Sequence, residues 1–467
     1  MGTIGTAIVY PTITAGQFAL IVGMEDKTSG TAYWTSDQSG FAHVDYGRVD
    51  AIAGGTIGGT VYGTANKNDF GYVATGARVL NLFPSDQLTA ISIRRGRTRP
   101  DQFDDVGTMT VTVLNQTGDS DPDNTTGRYQ RLTTPTIVSG TAVPNYASWI
   151  QPGMWADVRY GLGGAGADRV IFRGVLESIE PTDDRYSTAV YNFVDRLAIL
   201  GGSTTGNGAK AGANGDTGAQ RIRKLLQDCR LYDIYNGATG QTLVEQVVDI
   251  QGFTRIVQLG SVGDTVMDCI KTIVSGQAGR VFASREGIVR VWDRAYMATV
   301  ASATAGTFTD TPGSAAGLGY DEIHTNQAQN FLYNSANVTV GSAITASFKN
   351  DVSIAQYGER RFEVECALSS AGDALALATF LGSNWSAPSK NVSMISLQAY
   401  AFSTSQLSGL LALDLQQSVR VYRRLPGGRV LDVNCVIEGI EIDIDPSTKR
   451  FTFYLSPKDS TSISWPA

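Results

Sequence analysis

Strict alternation of apolar and polar residues begins near Leu88 and continues to about residue 200. The runs "LTAISIRRGR" and "GTMTVTVLNQTG" place an apolar side chain at every second position, and "MWADVRY", "RVIFRGVLESIE" and "STAVYNFVD" repeat the pattern. A period of two is typical of strands that bury one face. The pattern predicts that residues 88–200 form a small antiparallel β-barrel or sandwich.

Between residues 201 and 298 the apolar spacing changes to that of helices. The run "GGSTTGNGAKAGANGDTG" predicts a linker, and Thr217 with Gln220 forms a capping box before a first helix. A second helix is predicted from near Asp264 to Gly276, followed by a hairpin that turns at Glu286–Gly287. The predicted buried stripes of the two helices contain Ile222, Leu225, Leu226 and Cys229, and Val266, Ile270, Ile273 and Val274. The segment 201–298 is therefore predicted to be a linker followed by an α+β insert.

The rest of the chain divides into three further segments. In 299–389, "ANVTV" and "DVSIAQYGERRFEVE" predict connecting strands, and Ser370 with Asp373 caps a helix. Alternation returns from Lys390 to Pro457, which predicts a second barrel in 390–467. Residues 1–87 hold short Thr/Gly/Ala runs with scattered aromatic residues and are predicted to be a β-rich N-terminal arm. The predicted fold is mainly β (α+β): two related small antiparallel β-barrels with an inserted α+β domain.

One motif occurs twice in the chain. "VLESIE" at 175–180 matches "VIEGIE" at 436–441, and beyond a turn "AVYNF" at 189–193 matches "FTFYL" at 451–455. The match predicts that the two barrels are copies of one unit, with the following residues equivalent: Val175, Ile179, Tyr191 and Phe193 to Val436, Ile440, Phe453 and Leu455. The alternative is that any two β-meanders resemble one another at this level.

Composition and charge exclude several classes of protein. The 467 residues carry a formal charge of -7 without a Lys/Arg block, so a specific nucleic-acid surface is not expected. The four cysteines are widely spaced, which predicts reduced, packed thiols rather than a zinc site or a disulfide framework. Apolar runs stay short of the roughly 18 residues that a membrane span needs, so no membrane anchor is expected.

Taken in order, four segments resemble the hub proteins of phage tail tips and baseplates, the minor tail proteins of many long-tailed phages of actinobacteria. The first segment runs from "ISIRRGR" to "RVIFRGVLESIEP", and the second is "DTVMDCIKTIVSGQAGRVFASREGIVRVWDR". The third is "DVSIAQYGERR" followed by a helix and a proline, and the fourth is "VIEGIEIDIDPSTKRFTFYLSPKD". The resemblance covers about residues 88–459.

The resemblance implies a structural virion protein at the tail tip, assembled in the host cytoplasm. In that family three chains form a ring, so two barrels per chain would let a homotrimer match a sixfold tail tube while the inserts meet a threefold tip or fibre. The implied partners are the distal tail or tube protein, the tape measure protein, a central fibre and other minor tail proteins. DNA would pass through the lumen without specific binding, and no cofactor is implied.

Several motifs typical of catalytic or binding sites are weak here. Gly161, Gly163 and Gly166 match G-x-G-x-x-G, but a strand follows instead of a helix, which predicts a hairpin loop. "DSDPD" has calcium-loop spacing but lacks the turn glycine and the bidentate glutamate, so no metal site is predicted. The two histidines, His43 and His324, have no nucleophile signature near them. We therefore expect no catalytic residues and no enzyme, with a cell-wall-degrading tail enzyme as the less favoured alternative.

The N-terminal arm supports a further alternative. Its aromatic residues lie among polar loops, where ring faces can stack on sugars, so the chain could be a phage adhesin that binds host-envelope glycan. The structural alternative is that these residues form the core of a small β module. The glycan-binding candidates are Tyr33, Trp34, Tyr46, Tyr62 and Tyr72.

Overall fold

The computed structural model describes the larger part of the chain after residue 87 and short strands before it. The described residues are 18–23, 42–45, 48–51, 56–57, 60–61, 80–83, 88–99, 102–116, 118, 120–121, 130–138, 141–148, 152–153, 155–161, 169–182, 187–204, 216–229, 233–236, 241–244, 246–250, 256, 264–300, 303–311, 317–327, 332–340, 343–387, 390–445 and 447–458. The glycan candidates Tyr33, Trp34, Tyr46, Tyr62 and Tyr72 lie outside these residues.

Strands dominate the described residues. Those before residue 200 are β1 (Phe18–Gly23), β2 (Ala42–Asp45), β3 (Arg48–Ala51), β4 (Thr56–Ile57), β5 (Thr60–Val61), β6 (Leu80–Phe83), β7 (Leu88–Gly96), β8 (Asp105–Leu114), β9 (Gln130–Val138), β10 (Thr141–Ser148), β11 (Trp155–Tyr160), β12 (Arg169–Thr182) and β13 (Thr188–Val194). Those after it are β14 (Asp233–Asn236), β15 (Gln241–Val244), β16 (Gln246–Asp249), β17 (Arg280–Ala283), β18 (Val289–Trp292), β19 (Thr304–Thr309), β20 (Leu318–Gly319), β21 (Glu322–Gln327), β22 (Ser335–Val340), β23 (Ala343–Lys349), β24 (Arg361–Cys366), β25 (Lys390–Gln398), β26 (Ser418–Arg424), β27 (Val430–Ile444) and β28 (Lys449–Pro457).

Among the described residues, helices occur after residue 196. They are α1 (Leu197–Gly202), α2 (Gly218–Asp228), α3 (Val266–Gly276), α4 (Arg294–Val300), α5 (Asp351–Tyr357), α6 (Ala371–Asn384) and α7 (Thr404–Ala412). Within the described residues, no helix is long and apolar enough to cross a membrane.

The chain divides into two compact units. The first consists of Met1–Ser92, Thr108–Val194 and Asp233–Val244, and the second of Ile93–Gly107, Asp195–Tyr232 and Glu245–Ala467.

The sheet of the first unit runs in the order β7-β8-β13-β12-β11-β1-β6. Every second side chain of β13 is buried, and the core includes Met109, Val111, Phe172, Leu176 and Phe193. The buried Tyr191 hydroxyl donates a hydrogen bond to the Ser120 hydroxyl at 2.8 Å, which satisfies the polar end of an otherwise apolar side chain. Because β1 and β6 belong to this sheet, part of the segment predicted as a separate arm contributes strands to it.

The sheet of the second unit runs in the order β20-β19-β26-β27-β28-β25-β21. Its core includes Val419, Val421, Ile440 and the ring pair Phe308–Phe453, with centroids 5.3 Å apart. The prediction that the chain is mainly β is confirmed. The second unit also contains a parallel pairing, since β19 pairs in parallel with both β20 and β26. In neither unit do the pairings of the described strands close into a ring.

The predicted repeat is visible in the strand order of both units. In chain order, β7, β8, β11, β12 and β13 correspond to β21, β25, β26, β27 and β28, and both sets have the spatial order first-second-fifth-fourth-third. The register agrees residue by residue. Ile179 pairs with Tyr191 and Ile440 pairs with Phe453. The predicted equivalences between the two motifs are therefore confirmed, and they extend from three strands to five.

A β-bulge lies at the same place in both copies. The register of β12 with β13 shifts between Leu176 and Ser178, and that of β27 with β28 shifts between Ile437 and Gly439. The extra residues are Glu177 and Glu438, the glutamates of "VLESIE" and "VIEGIE". A β-bulge changes the direction of the side chain that it carries. The shared bulge therefore sets the direction of one glutamate in each copy.

The helices and the hairpin predicted between residues 217 and 298 form in the second unit. The Thr217–Gln220 capping box forms, α3 ends at Gly276 as predicted, and β17 and β18 form the predicted hairpin, which β16 extends. The predicted stripes of α2 and α3 are buried in one core. A second α+β module, with sheet order β23-β22-β24 and α6 packed against it, has a core of its own.

Two predicted β segments are partly helical. "DVSIAQY" forms α5 because the Asn350 side chain accepts a hydrogen bond from the Ser353 amide, and Gly358 at φ 79° ends the helix. Within 390–467, α7 begins at a capping box made by Ser403 and Gln406. In both cases the cap outweighs the modest helix propensity of the segment.

Candidate functional site

The bulge residue Glu438 is the centre of a buried ion-pair network in the second unit. Its side chain is 4% exposed. Arg97 Nε lies 2.9 Å from Glu438 Oε2, and Arg280 Nη1 lies 2.5 Å from the same oxygen. The hydroxyl of Ser456 donates to Glu438 Oε1 at 2.5 Å. Since each carboxylate oxygen has a partner, the buried charge is compensated.

Arg280 connects this centre to a second carboxylate. It lies at the start of β17 and is 3% exposed. Its Nε donates to Asp104 Oδ2 at 3.0 Å, and its Nη2 pairs with Asp104 Oδ1. The planar guanidinium suits such two-point contact with a carboxylate, and the remaining nitrogen is free to reach Glu438. One arginine of the insert therefore holds the 97–104 loop and the bulge of β27 together.

A neighbouring buried ion pair also joins distant segments of the chain. Arg95 Nη1 lies 2.7 Å from Asp414 Oδ1, and both residues are largely buried. Asp414 also accepts hydrogen bonds from the backbone amides of Leu415, at 2.9 Å, and of Arg285, at 3.2 Å. The pair thereby connects the end of β7 to the segment after α7 and to the β17–β18 turn.

The backbone comes unusually close at the bulge. The Arg97 amide donates to the Glu438 carbonyl at 3.0 Å. A Cβ atom on Gly96 would lie 2.3 Å from the Glu438 carbonyl oxygen, and one on Gly439 would lie 2.4 Å from the Arg97 carbonyl oxygen. Gly96 also has a φ of +79°. Only glycine fits at these two positions.

The electrostatics of the site favour the ionised forms of Glu438 and Asp414. Burial raises the pKa of Glu438, but Arg97 and Arg280 more than reverse this effect and lower the pKa to about 2. Burial likewise raises the pKa of Asp414, and Arg95 reverses it, so the net shift is downward. Groups that stay ionised at neutral pH and already face cations are poor general acids or bases. The site is suited to holding segments of chain together and not to proton transfer.

Asp195 differs from these carboxylates. It accepts hydrogen bonds from the Gly107 amide at 2.7 Å and from the Leu197 amide at 2.8 Å. Burial raises its pKa to about 7, against the opposing effect of these two amides. Through these two hydrogen bonds Asp195 connects the start of α1 to the beginning of β8.

The first unit has a buried ion-pair cluster at a different position. Asp157 is fully buried and pairs with Arg159 at 2.9 Å and with Arg173 at 2.5 Å. Burial raises the pKa of Asp157, and the two arginines, with Arg173 the stronger, lower it below its usual value. The bulge residue Glu177, the counterpart of Glu438, is exposed. The two repeats therefore share their strands but not the surroundings of their bulges.

The structure also locates the other residues that the sequence patterns had marked as candidates. His324 is exposed, with Nε2 2.9 Å from Glu322 Oε1, and His43 lies in β2. Gly161 is described, whereas Gly163 and Gly166 lie outside the described residues, as do Asp119 and Asp123 of the "DSDPD" run. Asp121 accepts a hydrogen bond from the Asn115 amide nitrogen. Cys229, Cys269, Cys366 and Cys435 are buried free thiols, as predicted.

In the part of the chain that the structure describes, no group of three or more His, Cys, Asp or Glu side chains is placed to hold a metal ion.

The network itself was missed in the sequence. Its arginines lie far apart in the chain, and "RRGR" reads as the end of a strand. One signal was available, since the two motifs differ by Ser178 against Gly439 at the position after the bulge glutamate. A glycine at one copy only indicates close backbone approach at that copy.

Comparison with known proteins identifies similar folds. No family model matches the chain, and no curated protein matches it. Among solved structures, it is similar to the tail protein from Neisseria meningitidis MC58, with a TM-score of 0.53 and 10% identity over 96% of this chain and 98% of that chain. It is also similar to the 43 kDa tail protein of prophage MuSo2 from Shewanella oneidensis, with a TM-score of 0.51 and 12% identity over 83% of this chain and 98% of that chain. At such identities the likeness shows a shared fold.

Proposed function

We propose that this chain is a structural protein of a phage tail that forms a homotrimeric hub ring at the tail tip. The observation that carries the proposal is the internal repeat, in which two five-stranded units share strand order, register and a bulge. Three chains supply six such units, which suits a sixfold tail tube, and closure into a ring covers sheet edges. The nearly full-length fold likeness to two tail proteins supports the same assignment.

In this proposal the two sheets serve as closely related ring segments that complete two barrels. The α+β modules of the second unit occur once per chain, so they keep threefold symmetry and face the tip or central fibre. The distal tail or tube protein and the tape measure protein are the proposed partners on the opposite side. The role is structural, and the buried carboxylates of the network serve to fix the fold. The adhesin alternative stays a prediction, because its aromatic candidates lie outside the described residues.

The number of copies in the ring tests the proposal. Native mass spectrometry of the purified full chain should show a trimer in exchange with monomer, and a map of intact virions should show three copies at the tail tip. A map with one or six copies per ring, or with this chain elsewhere in the particle, would overturn the assignment.

A further inference from the structure

The β26–β27 hairpin of the second unit extends beyond the neighbouring strands of its sheet. Among the described residues, β28 pairs with β27 from Cys435 onward, and β19 pairs with β26 as far as Tyr422. Beyond these points the two strands of the hairpin pair with each other, and Arg424 lies opposite Val430. The hairpin therefore ends in a tip that continues past the rest of the sheet.

The β26 strand of this tip is closed by side chains. The Tyr320 hydroxyl donates a hydrogen bond to the Tyr422 carbonyl at 3.4 Å, and the Arg424 amide donates to Asp310 Oδ2 at 2.7 Å. Arg424 also pairs with Asp310 through its side chain at 3.7 Å. Because its outward backbone groups already have partners, this edge of the hairpin is not available to another strand.

The β27 strand of the tip has an open edge. The Lys458 amide donates to the Asn434 carbonyl at 2.7 Å, so the backbone of Asn434 faces the side on which β28 lies. Since successive residues of an antiparallel strand turn their backbone groups to opposite edges, those of Val430 and Asp432 face the same side as those of Asn434. Within the described part of the chain no strand pairs with Val430 or Asp432 on that side. The edge 430–432 therefore presents backbone donors and acceptors for a further strand.

The side chains beside this edge indicate the kind of partner that it fits. Arg429 is exposed at the tip and has no acidic partner among the described residues, whereas Arg420 pairs with Asp432 at 2.5 Å. Val430 is 47% exposed, so an apolar side chain lies open next to the same edge. An unpaired arginine beside free strand-pairing groups is complementary to an extended segment that carries carboxylates.

We propose that the edge Arg429–Asp432 is an interaction surface that binds an extended acidic segment of another protein by strand addition. The backbone of that segment pairs with Val430 and Asp432, and one of its carboxylates pairs with Arg429. Nucleic acid fits less well, because a phosphate backbone calls for clustered cations and Arg420 is already neutralised here. The interaction is separate from the ring of the proposed function and uses no contact between copies of this chain.

Val430→Pro tests the open edge without opening the hairpin. The Val430 amide faces away from β26, so the proline removes no hydrogen bond between the two strands. Arg429, at φ -74° and ψ 155°, already has the backbone conformation that precedes a proline. Val430→Thr is the matched control, because it changes the side chain and keeps the amide. Urea denaturation of the full chain should give the same transition for both variants as for the wild type.

The binding probe is a short fluorescent peptide that alternates Thr and Glu, and the assay is fluorescence anisotropy with the full chain. The peptide should bind the wild type and Val430→Thr, whereas Val430→Pro should weaken binding about tenfold through the lost backbone hydrogen bond. Arg429→Glu should weaken binding at least as much, while Arg361→Glu, at an exposed arginine of β24, should leave it unchanged. A peptide that alternates Thr and Lys should not bind.

Several results would overturn this inference. Equal binding by the wild type and Val430→Pro would exclude strand addition, and unchanged binding by Arg429→Glu would exclude recognition of an acidic segment. Absence of binding to the wild type, or binding of duplex DNA that depends on Arg429, would also overturn the proposal. Native mass spectrometry distinguishes this surface from the ring: if Val430→Pro dissociates trimers, the occupant is a second copy and the inference fails. A chain that stays monomeric but binds the acidic peptide would overturn the ring and leave this inference standing.

Discussion

Removing the Arg280 guanidinium tests whether the network holds the second unit together. Arg280→Met keeps the length of the side chain but leaves Asp104 and part of the Glu438 charge buried without their cation. Loss of one partner of a buried ion pair costs about 3–5 kcal/mol. Because Arg280 is 3% exposed and touches two carboxylates, we expect the upper half of that range.

The assay is urea denaturation of the full chain, followed by tryptophan fluorescence, to which Trp292 in β18 beside Phe282 contributes. Arg420→Met is the matched control, since Arg420 pairs with Asp432 on the surface and its loss should change little. Adding Asp104→Asn to Arg280→Met should restore part of the lost stability, because the buried charge is then removed with its partner. A loss below about 1 kcal/mol, or strictly additive effects of the two changes, would refute the reasoning.

Three further predictions concern pH and packing. The pKa of Glu438 is lowered from 4.5 to about 2, so its contribution of about 3 kcal/mol to the free energy of unfolding is present above pH 4.5 and is lost as the pH falls toward 2. In Glu438→Gln, the dependence of stability on acid pH should lack this component. The pKa of Asp195 is raised from 3.8 to about 7, so the wild-type free energy of unfolding should fall as the pH rises between these values, and Asp195→Asn should flatten that slope. Gly439→Ala should lower the melting temperature because its Cβ would meet the Arg97 carbonyl oxygen at 2.4 Å, whereas Gly409→Ala, with open space in α7, should raise or keep it; equal effects would contradict the close approach.

The difference between the two bulges is the main structural asymmetry of the repeat. Glu438 meets two arginines inside its own unit, while Glu177 is left exposed. A duplicated strand unit can keep its fold while one copy gains buried charges, because a bulge lets a single side chain change its surroundings without disturbing the register on either side.

The sequence by itself determined the local and periodic features of this protein. Alternation located the strands of both sheets, and the capping boxes at Thr217 and Ser370 located α2 and α6, because these signals depend on residues within a few positions of one another. The repeated motif predicted the equivalence of Ile179 with Ile440, since a shared register follows from shared side-chain facing. The local pattern did not predict the helix α5, because its cap at Asn350 precedes a segment whose composition is typical of a strand.

Only the tertiary structure decided which distant residues meet. Arg97, Arg280 and Glu438 are separated by more than a hundred residues from one another, and nothing in their local sequence distinguishes them from solvated surface charges. Their pairing depends on the strand order that brings the 97–104 loop, the insert and the bulge together in one unit. The same order decided that β19 joins β26 in parallel. Contacts across long sequence separations are set by topology and packing, which a local pattern does not encode.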